Sequence, residues 1–155
     1  MKPDRIEQSH RRRLIGANAT YTAATRSGIP AQWANWDHGA ITGINEDLVF
    51  GVCHNFVPPD RFDYACALPV DANAPVPNGQ TEVIIPAGDF VVYVHQGHVS
   101  GIAGVFDKVM CGPKEQEGGW VLAPGPQLEV YGEDFDGMTG TGCVEIWFPV
   151  TKGEN

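Results

Sequence analysis

Apolar residues along this chain gather in short runs rich in valine, isoleucine and aromatics, bounded by glycine, proline or asparagine, which is the pattern of strands joined by turns. The runs predict strands at residues 14–21, 48–56, 62–70, 82–95, 128–133 and 143–150. Two segments carry helical spacing instead. In residues 29–38, Ile29, Trp33 and Trp36 recur at i, i+4 and i+7, and residues 99–111 place Ile102, Phe106, Val109 and Met110 on one face. The predicted order is β-α-β-β followed by β-α-β-β, with residues 71–79 as a surface linker marked by Pro75, Pro77 and Gly79. Short echoes support a duplication. Leu68-Pro69-Val70 returns as Phe148-Pro149-Val150 at an offset of 80, and Val49-Phe50-Gly51 as Val130-Tyr131-Gly132 at an offset of 81.

Side chains alternate faces along a strand, so the final strand splits into Val144, Ile146, Phe148 and Val150 against Cys143, Glu145, Trp147 and Pro149. The first set is wholly apolar and is expected to face the helices. By the same rule, Leu128 and Val130 are expected on the core face and Glu129 and Tyr131 opposite. Both Glu-x-aromatic pairs would then share the face turned away from the helices. The repeat puts Leu48 and Phe50 in the places of Glu129 and Tyr131, and the small Ala65 and Ala67 in those of Glu145 and Trp147. Two carboxylates among aromatics suit a lipophilic aromatic cation, which gains from charge pairing and cation–π contact. Sharing one face would also couple the two acids and raise the pKa of the pair. Trp33 and Trp36 either line a pocket mouth or fill the core beneath their helix.

Other chemistry finds less support. His95-x-x-His98 has no third ligand at a metal-like spacing, so no metal is expected. Cys53 and His54 are adjacent on a strand, which sends them to opposite faces. The sequence holds no G-x-G-x-x-G, Walker loop or G-x-S-x-G, and no cofactor is expected.

Composition narrows the class further. The 155 residues suit a single domain spanning 1–155, with pseudo-repeats at about 13–71 and 80–152. With 19 Gly and 12 Pro the chain is too punctuated for a helical bundle, and a net charge of -9 argues against direct nucleic-acid binding. No apolar run is long enough to span a membrane, and none follows the charged N-terminus as a signal peptide would. Cys53, Cys66, Cys111 and Cys143 form no C-x-x-C pair, so free thiols and a cytoplasmic location are expected.

The stretch Ile85-Pro86-Ala87-Gly88-Asp89-Phe90, then His95-Gln96-Gly97, Leu128-Glu129-Val130-Tyr131 and Glu145-Ile146-Trp147-Phe148-Pro149-Val150 resembles the GyrI-like small-molecule-binding domain. That domain is the effector-binding module of some AraC-type and MerR-type multidrug regulators. The resemblance covers nearly the whole chain and is strongest over residues 85–152. It implies an α+β fold of tandem β-α-β-β units, SHS2-like, with pseudo-two-fold symmetry and a ligand cleft between the halves. It also implies that Glu129 is the acid that meets cationic drugs, Glu145 a second acid of the cleft, and Trp147 an aromatic wall. Trp33, Trp36 and Phe106 carry over more loosely, and Leu128 stands where an aromatic often precedes the glutamate. With no room for a helix-turn-helix domain, a stand-alone binder of a cationic lipophilic small molecule is expected. The alternatives are a hydrolase of electrophilic natural products, as some members are, and a protein-interaction module like the gyrase-inhibitor members.

Overall fold

The computed structural model describes residues 2–153, which divide into two compact units, residues 11–86 and residues 2–10 with 87–153. The first unit contains β2 (Arg12–Tyr21), α1 (Ile29–Asn35), β3 (Val49–Val57), β4 (Arg61–Pro69) and β5 (Thr81–Ile85), paired antiparallel in the order β3-β4-β2-β5. The second unit contains β1 (Arg5–Ser9), β6 (Gly88–His98), α2 (Ile102–Met110), β7 (Glu115–Gln116), β8 (Trp120–Leu122), β9 (Gln127–Asp136) and β10 (Thr141–Lys152). Its order is β1-β6-β10-β9, and β8 pairs with the last residues of β10 beyond the end of β9. The chain is α+β, mostly antiparallel sheet with few helices.

Two departures from the sequence pattern shape this layout. The apolar run over residues 82–95 is two strands, because Pro86 lacks an N–H for the ladder and the chain turns through Pro86 and Ala87 before Gly88 restarts it. The two pieces go to different units: β5 lines up on β2, whereas β6 pairs with β1 and β10. The run Arg5–Ser9, too polar to predict, is a strand because β6 offers it an open edge, with Arg5 opposite Val92 and Ser9 opposite Gly88. Asp4 extends that pairing, its N–H donating to the Val92 carbonyl at 2.8 Å and its carboxylate accepting from the Val94 N–H at 2.7 Å.

In the first unit α1 starts with proline in its first turn and ends at Asn35, where Trp36 turns extended. Trp33 and Trp36 meet edge to face at 5.7 Å and pack with Ile15, Tyr64, Cys66 and Leu68. Both indoles are tied down: Trp33 Nε1–H donates to the Tyr64 hydroxyl at 3.0 Å and Trp36 Nε1–H to Gln80 Oε1 at 3.1 Å. Directly opposed residues of an antiparallel pair share a face. Ile15, Tyr64, Cys66 and Leu68 therefore look toward α1, and Phe50, Val52, Ala65 and Ala67 look away. Cys53 packs on the α1 side, while His54 points the other way and meets Asn18 Oδ1 at 2.8 Å. Burial lowers the His54 pKa. Asp63, beside it, accepts hydrogen bonds from Thr20, Asn55 and Asn18. Burial works against its charge, but those bonds prevail and hold its pKa below the ordinary value.

Gly16 lets β2 and β4 approach. A Cβ there would stand 1.8 Å from the Cys66 carbonyl oxygen and 2.7 Å from the Ala67 Cα, both backbone atoms that cannot rotate aside. Gly16→Ala must push the strands apart and is expected to cost about 1–3 kcal/mol, read as a lower urea midpoint with an unchanged slope. Gly88→Ala, whose Cβ would meet nothing within 4 Å, serves as the control and should stay within about 0.5 kcal/mol of the parent. A parental midpoint for Gly16→Ala would show that the close approach relaxes at no cost.

Candidate functional site

The register of β9 on β10 decides which side chains meet. Glu145 lies opposite Val130, Ile146 opposite Glu129, Trp147 opposite Leu128 and Val144 opposite Tyr131. Glu129 and Tyr131 therefore share the face of Val144 and Ile146, and Glu145 and Trp147 share the face of Leu128 and Val130. The sequence-based expectation that both Glu-x-aromatic pairs look the same way is overturned. The cause is burial on both faces: Leu128, Glu129, Val130 and Tyr131 are all buried, so the alternation of apolar residues does not mark the helix side. The echo between Phe50 and Tyr131 fails for a related reason. Ala67 and Trp147, matched at an offset of 80, pair with Phe50 and Leu128 respectively, so Phe50 corresponds to Leu128 and takes the other face from Tyr131.

The face of Val144, Ile146 and Phe148 is the one α2 covers, as expected. Phe106 of α2 meets Phe148 edge to face at 5.3 Å, Phe148 meets Tyr93 at 6.0 Å, and the Met110 sulfur accepts from Gln127 Nε2 at 3.2 Å. Gly101, just before α2, lies where a Cβ would stand 2.5 Å from the His95 ring. Rows run straight across the strands here: Tyr93, Ile146 and Glu129 in one, His95, Val144 and Tyr131 in the next. With strands about 4.8 Å apart, Tyr93 and Glu129 flank Ile146 roughly 10 Å from each other. Glu129 is only 9% exposed and accepts a hydrogen bond from the Tyr131 hydroxyl at 2.6 Å. The Tyr131 ring in turn packs edge-on against Phe135 at 4.8 Å. The arrangement is a buried carboxylate beside Ile146, with the Tyr131 phenol donating to it. Tyr93, which the sequence did not single out, donates to Gln116 Oε1 of β7, so the short β7–β8 hairpin is anchored to the same face. Its place could have been read from the alternation Val91, Tyr93, His95 once β6 was in register.

On the opposite face Glu145 meets a cation of its own chain. The Arg5 guanidinium donates to both carboxylate oxygens, at 2.9 and 2.7 Å, and lies 6.0 Å from the Trp147 ring centre. Trp147 Nε1–H adds a third hydrogen bond to Glu145 at 3.0 Å, and Phe90 packs on the indole at 5.5 Å. The Arg5 hydrogen bonds are the largest influence on Glu145 and hold its pKa below the usual carboxylate value, against the opposing effect of burial and with help from Trp147. The expected pair of mutually repelling acids is thus replaced by one acid held by a tyrosine and one held by an arginine.

The remaining expected residues lie in the first unit. Phe50 is fully buried on the face away from α1, with the Arg12 guanidinium 5.5 Å from its ring centre, and Arg12 also pairs with Glu46 at 2.8 Å. Leu48 is half-buried just ahead of β3, and Trp33 and Trp36 belong to the core under α1. Among the described residues no His, Cys, Asp or Glu cluster has a metal-holding arrangement, and no helix is long and apolar enough to cross a membrane.

An α+β chain with a buried acid framed by aromatics is the kind of module that binds small effectors, and sequence comparison gives its class. The profile of the Cass2 family, integron-associated effector binding proteins, matches residues 5–150, and the chain belongs to that family. Solved structures share its fold across nearly their whole length, in line with the GyrI-like resemblance. A bacterial transcription regulation protein from Staphylococcus aureus MU50 matches with a TM-score of 0.67 at 19% identity, covering 96% of this chain and 97% of the other. An integron cassette protein from Vibrio cholerae matches with a TM-score of 0.63 at 16% identity, covering 95% of each. SAV2435, solved bound to tetraphenylphosphonium, matches with a TM-score of 0.59 at 18% identity, covering 97% of this chain and 94% of its own. A search of curated proteins finds no match.

The Arg5–Glu145 pair sets an acid-range dependence of stability. A carboxyl whose pKa is lowered by folding contributes stability that is complete above its unfolded value and is lost as the pH falls through the folded value. In Arg5→Met, Glu145 should titrate closer to its ordinary value of 4.5, and unfolding free energy should fall less steeply below about pH 5 than in the parent. Carboxyl-detected NMR titration with urea unfolding at several pH values checks both. A parental Glu145 titrating at or above its ordinary value would overturn the assignment.

Proposed function

We propose that this chain binds amphipathic aromatic cations on the α2 face of its second unit, with Glu129 as counter-charge and Tyr131, Phe106 and Phe148 supplying aromatic surface. The observation that carries the reading is the buried Glu129 carboxylate, held by the Tyr131 hydroxyl on a floor of Ile146 and Val144. A lipophilic cation gains there from charge pairing in a low-dielectric setting and from cation–π contact, which a neutral or anionic ligand of the same shape does not. Family membership and the tetraphenylphosphonium complex of SAV2435 support the same chemistry. Glu145, Trp147, Leu48, Phe50, Trp33 and Trp36 stay outside this site: the first two engage Arg5 on the far face, and the others belong to the first unit. The shared strand order of the two units, β3-β4-β2 and β9-β10-β6, with one helix each after the first of these strands in the chain (α1 after β2, α2 after β6), supports reading them as duplicated SHS2-like units. A net charge of -9 weighs against direct nucleic-acid binding, and Cys53, Cys66, Cys111 and Cys143, none of them in a disulfide, suit a reducing, cytoplasmic setting.

Tetraphenylphosphonium and tetraphenylborate test the proposal, because they have nearly the same shape and opposite charge. The phosphonium should raise the melting temperature with concentration as binding to the folded state requires, and the borate should not. Glu129→Gln should weaken phosphonium binding by about 2–5 kcal/mol while leaving a neutral aromatic ligand unaffected. Equal stabilisation by both ions, or equal loss for charged and neutral ligands in the variant, would sink the reading. If the chain were instead a hydrolase using Glu129 as base, the variant would bind its electrophilic substrate and fail to turn it over, which a product assay separates from lost binding.

A further inference from the structure

Cys53 lies on the other side of β3 from His54, which instead draws its partners from β2 and β4. Thr20, Asp63 and His54 stand in one row across β2, β4 and β3 on the face turned from α1, with Asn18 two residues from Thr20 on the same face. The directions of their hydrogen bonds are forced. An ionised carboxylate only accepts, and Asp63 takes the Thr20 hydroxyl at 2.7 Å, Asn55 Nδ2 at 2.9 Å and Asn18 Nδ2 at 3.3 Å. With its nitrogen turned to Asp63, Asn18 offers its oxygen to His54, and the 2.8 Å bond to Oδ1 requires a proton on His54 Nε2. The neutral imidazole is therefore fixed as one tautomer, whose Nδ1 is a lone pair with no hydrogen-bond partner among the described residues. Burial favours that neutral form, lowering the His54 pKa against the pull of Asp63.

β3 is irregular just beyond this row. One extra residue follows His54, with Asn55 in the left-handed region at φ 52°, and Val57 comes opposite Arg61. Arg61 is two residues from Asp63, so the bulge returns Val57 to the face of His54, where regular alternation would have sent it to the Cys53 side. Val57 is 41% exposed and Arg61 is exposed, whereas His54 and Asp63 are half-buried. This end of the sheet thus carries an oriented hydrogen-bond acceptor next to an open aliphatic surface.

We propose that His54, Asn18 and Val57 form a binding site for an uncharged phenolic ligand, whose hydroxyl donates to His54 Nδ1 while its ring lies on Val57. A phenol suits this acceptor because it is a weakly acidic donor, and the positive charge drawn onto the imidazole is met by the Asp63 carboxylate and the Asn18 oxygen. A cationic donor of the same size is opposed by the Arg61 guanidinium and an anion by Asp63, and a neutral ligand meets neither cost. The site belongs to the first unit and does not rest on the Glu129 reading.

The test uses the full chain with p-cresol as probe, its methyl ether as the same ring without the donor, and benzylammonium as the cationic donor. Long-range proton–nitrogen correlation spectra of the five histidines report on the site, His54 being assigned by its absence in His54→Gln. At neutral pH the parent should show His54 protonated at Nε2 alone. p-Cresol should shift the Nδ1 resonance saturably, and the ether and benzylammonium should leave it in place. Asn18→Ala removes the oxygen that fixes the ring, so both tautomers should appear and p-cresol should bind about tenfold more weakly. Thr20→Val takes one bond from Asp63 but leaves Asn18 on His54, and it should keep the single tautomer and bind within about twofold of the parent. Nδ1 stops accepting once protonated, so affinity should also fall as the pH drops through the His54 pKa, which lies below its ordinary 6.5. The charged groups on its face are Asp63 and Arg61 of β4, and β2 faces it with the uncharged Asn18 and Thr20. Glu129→Gln should leave the His54 response intact, which separates failure of this site from failure of the effector reading. A parental His54 protonated at Nδ1, no saturable shift with p-cresol, an equal shift with the ether or benzylammonium, or undiminished affinity in Asn18→Ala would overturn the proposal.

Discussion

The hydrogen-bonded register between β9 and β10 is the constraint on which the chemistry of this protein depends. A strand has a side-chain period of two, so a slip of one residue would exchange Glu129 for Leu128 and Tyr131 for Val130 on the α2 face. The observed pairing, Ile146 with Glu129 and Val144 with Tyr131, sets the acid and the phenol beside two fully buried aliphatic residues. Register in turn is fixed by burial on both faces. Leu128 would leave its place opposite Trp147, and Val130 its place opposite Glu145, if the strand moved. The buried carboxylate of Glu129 is thus held in place by apolar neighbours.

How far the sequence disclosed this follows from what each signal measures. Apolar runs and turn residues report local conformation, and they located most of the longer strands and both helices to within a few residues. They could not report β1, whose Arg5–Ser9 is a strand only because the β6 edge is open to it, nor the break at Pro86 that sends β5 and β6 to different units. Partner choice is a long-range property, and a polar edge strand carries little trace of it. The residues between the two predicted halves similarly gave no hint that Arg13 ties its own strand to the 71–74 turn through the carbonyls of Asp71 and Ala74.

The candidate site was legible in its parts and misassembled in its geometry. Glu129, Tyr131, Glu145 and Trp147 were all visible as polar-aromatic breaks in apolar strands. Placing them on one face required assuming that apolar positions mark a single core, and this sheet is buried on both sides over residues 128–131. Arg5 was invisible for a different reason: it lies 140 residues from Glu145, and no local pattern announces a pairing at that separation.

The two glutamates show how one motif can be given two electrostatic settings. Each is followed two residues later by an aromatic whose polar hydrogen is turned back on the carboxylate, Tyr131 O–H at 2.6 Å and Trp147 N–H at 3.0 Å. Such a neutral donor orients a carboxylate without bringing a charge of its own. At Glu145 the chain goes further and supplies a full positive charge from Arg5, and the net field there falls accordingly. At Glu129 the Tyr131 donor is neutral. The same Glu-x-aromatic spacing on adjacent strands thus serves two faces, Glu129 and Tyr131 on the α2 side and Glu145 and Trp147 on the side that holds the chain's own N-terminal strand.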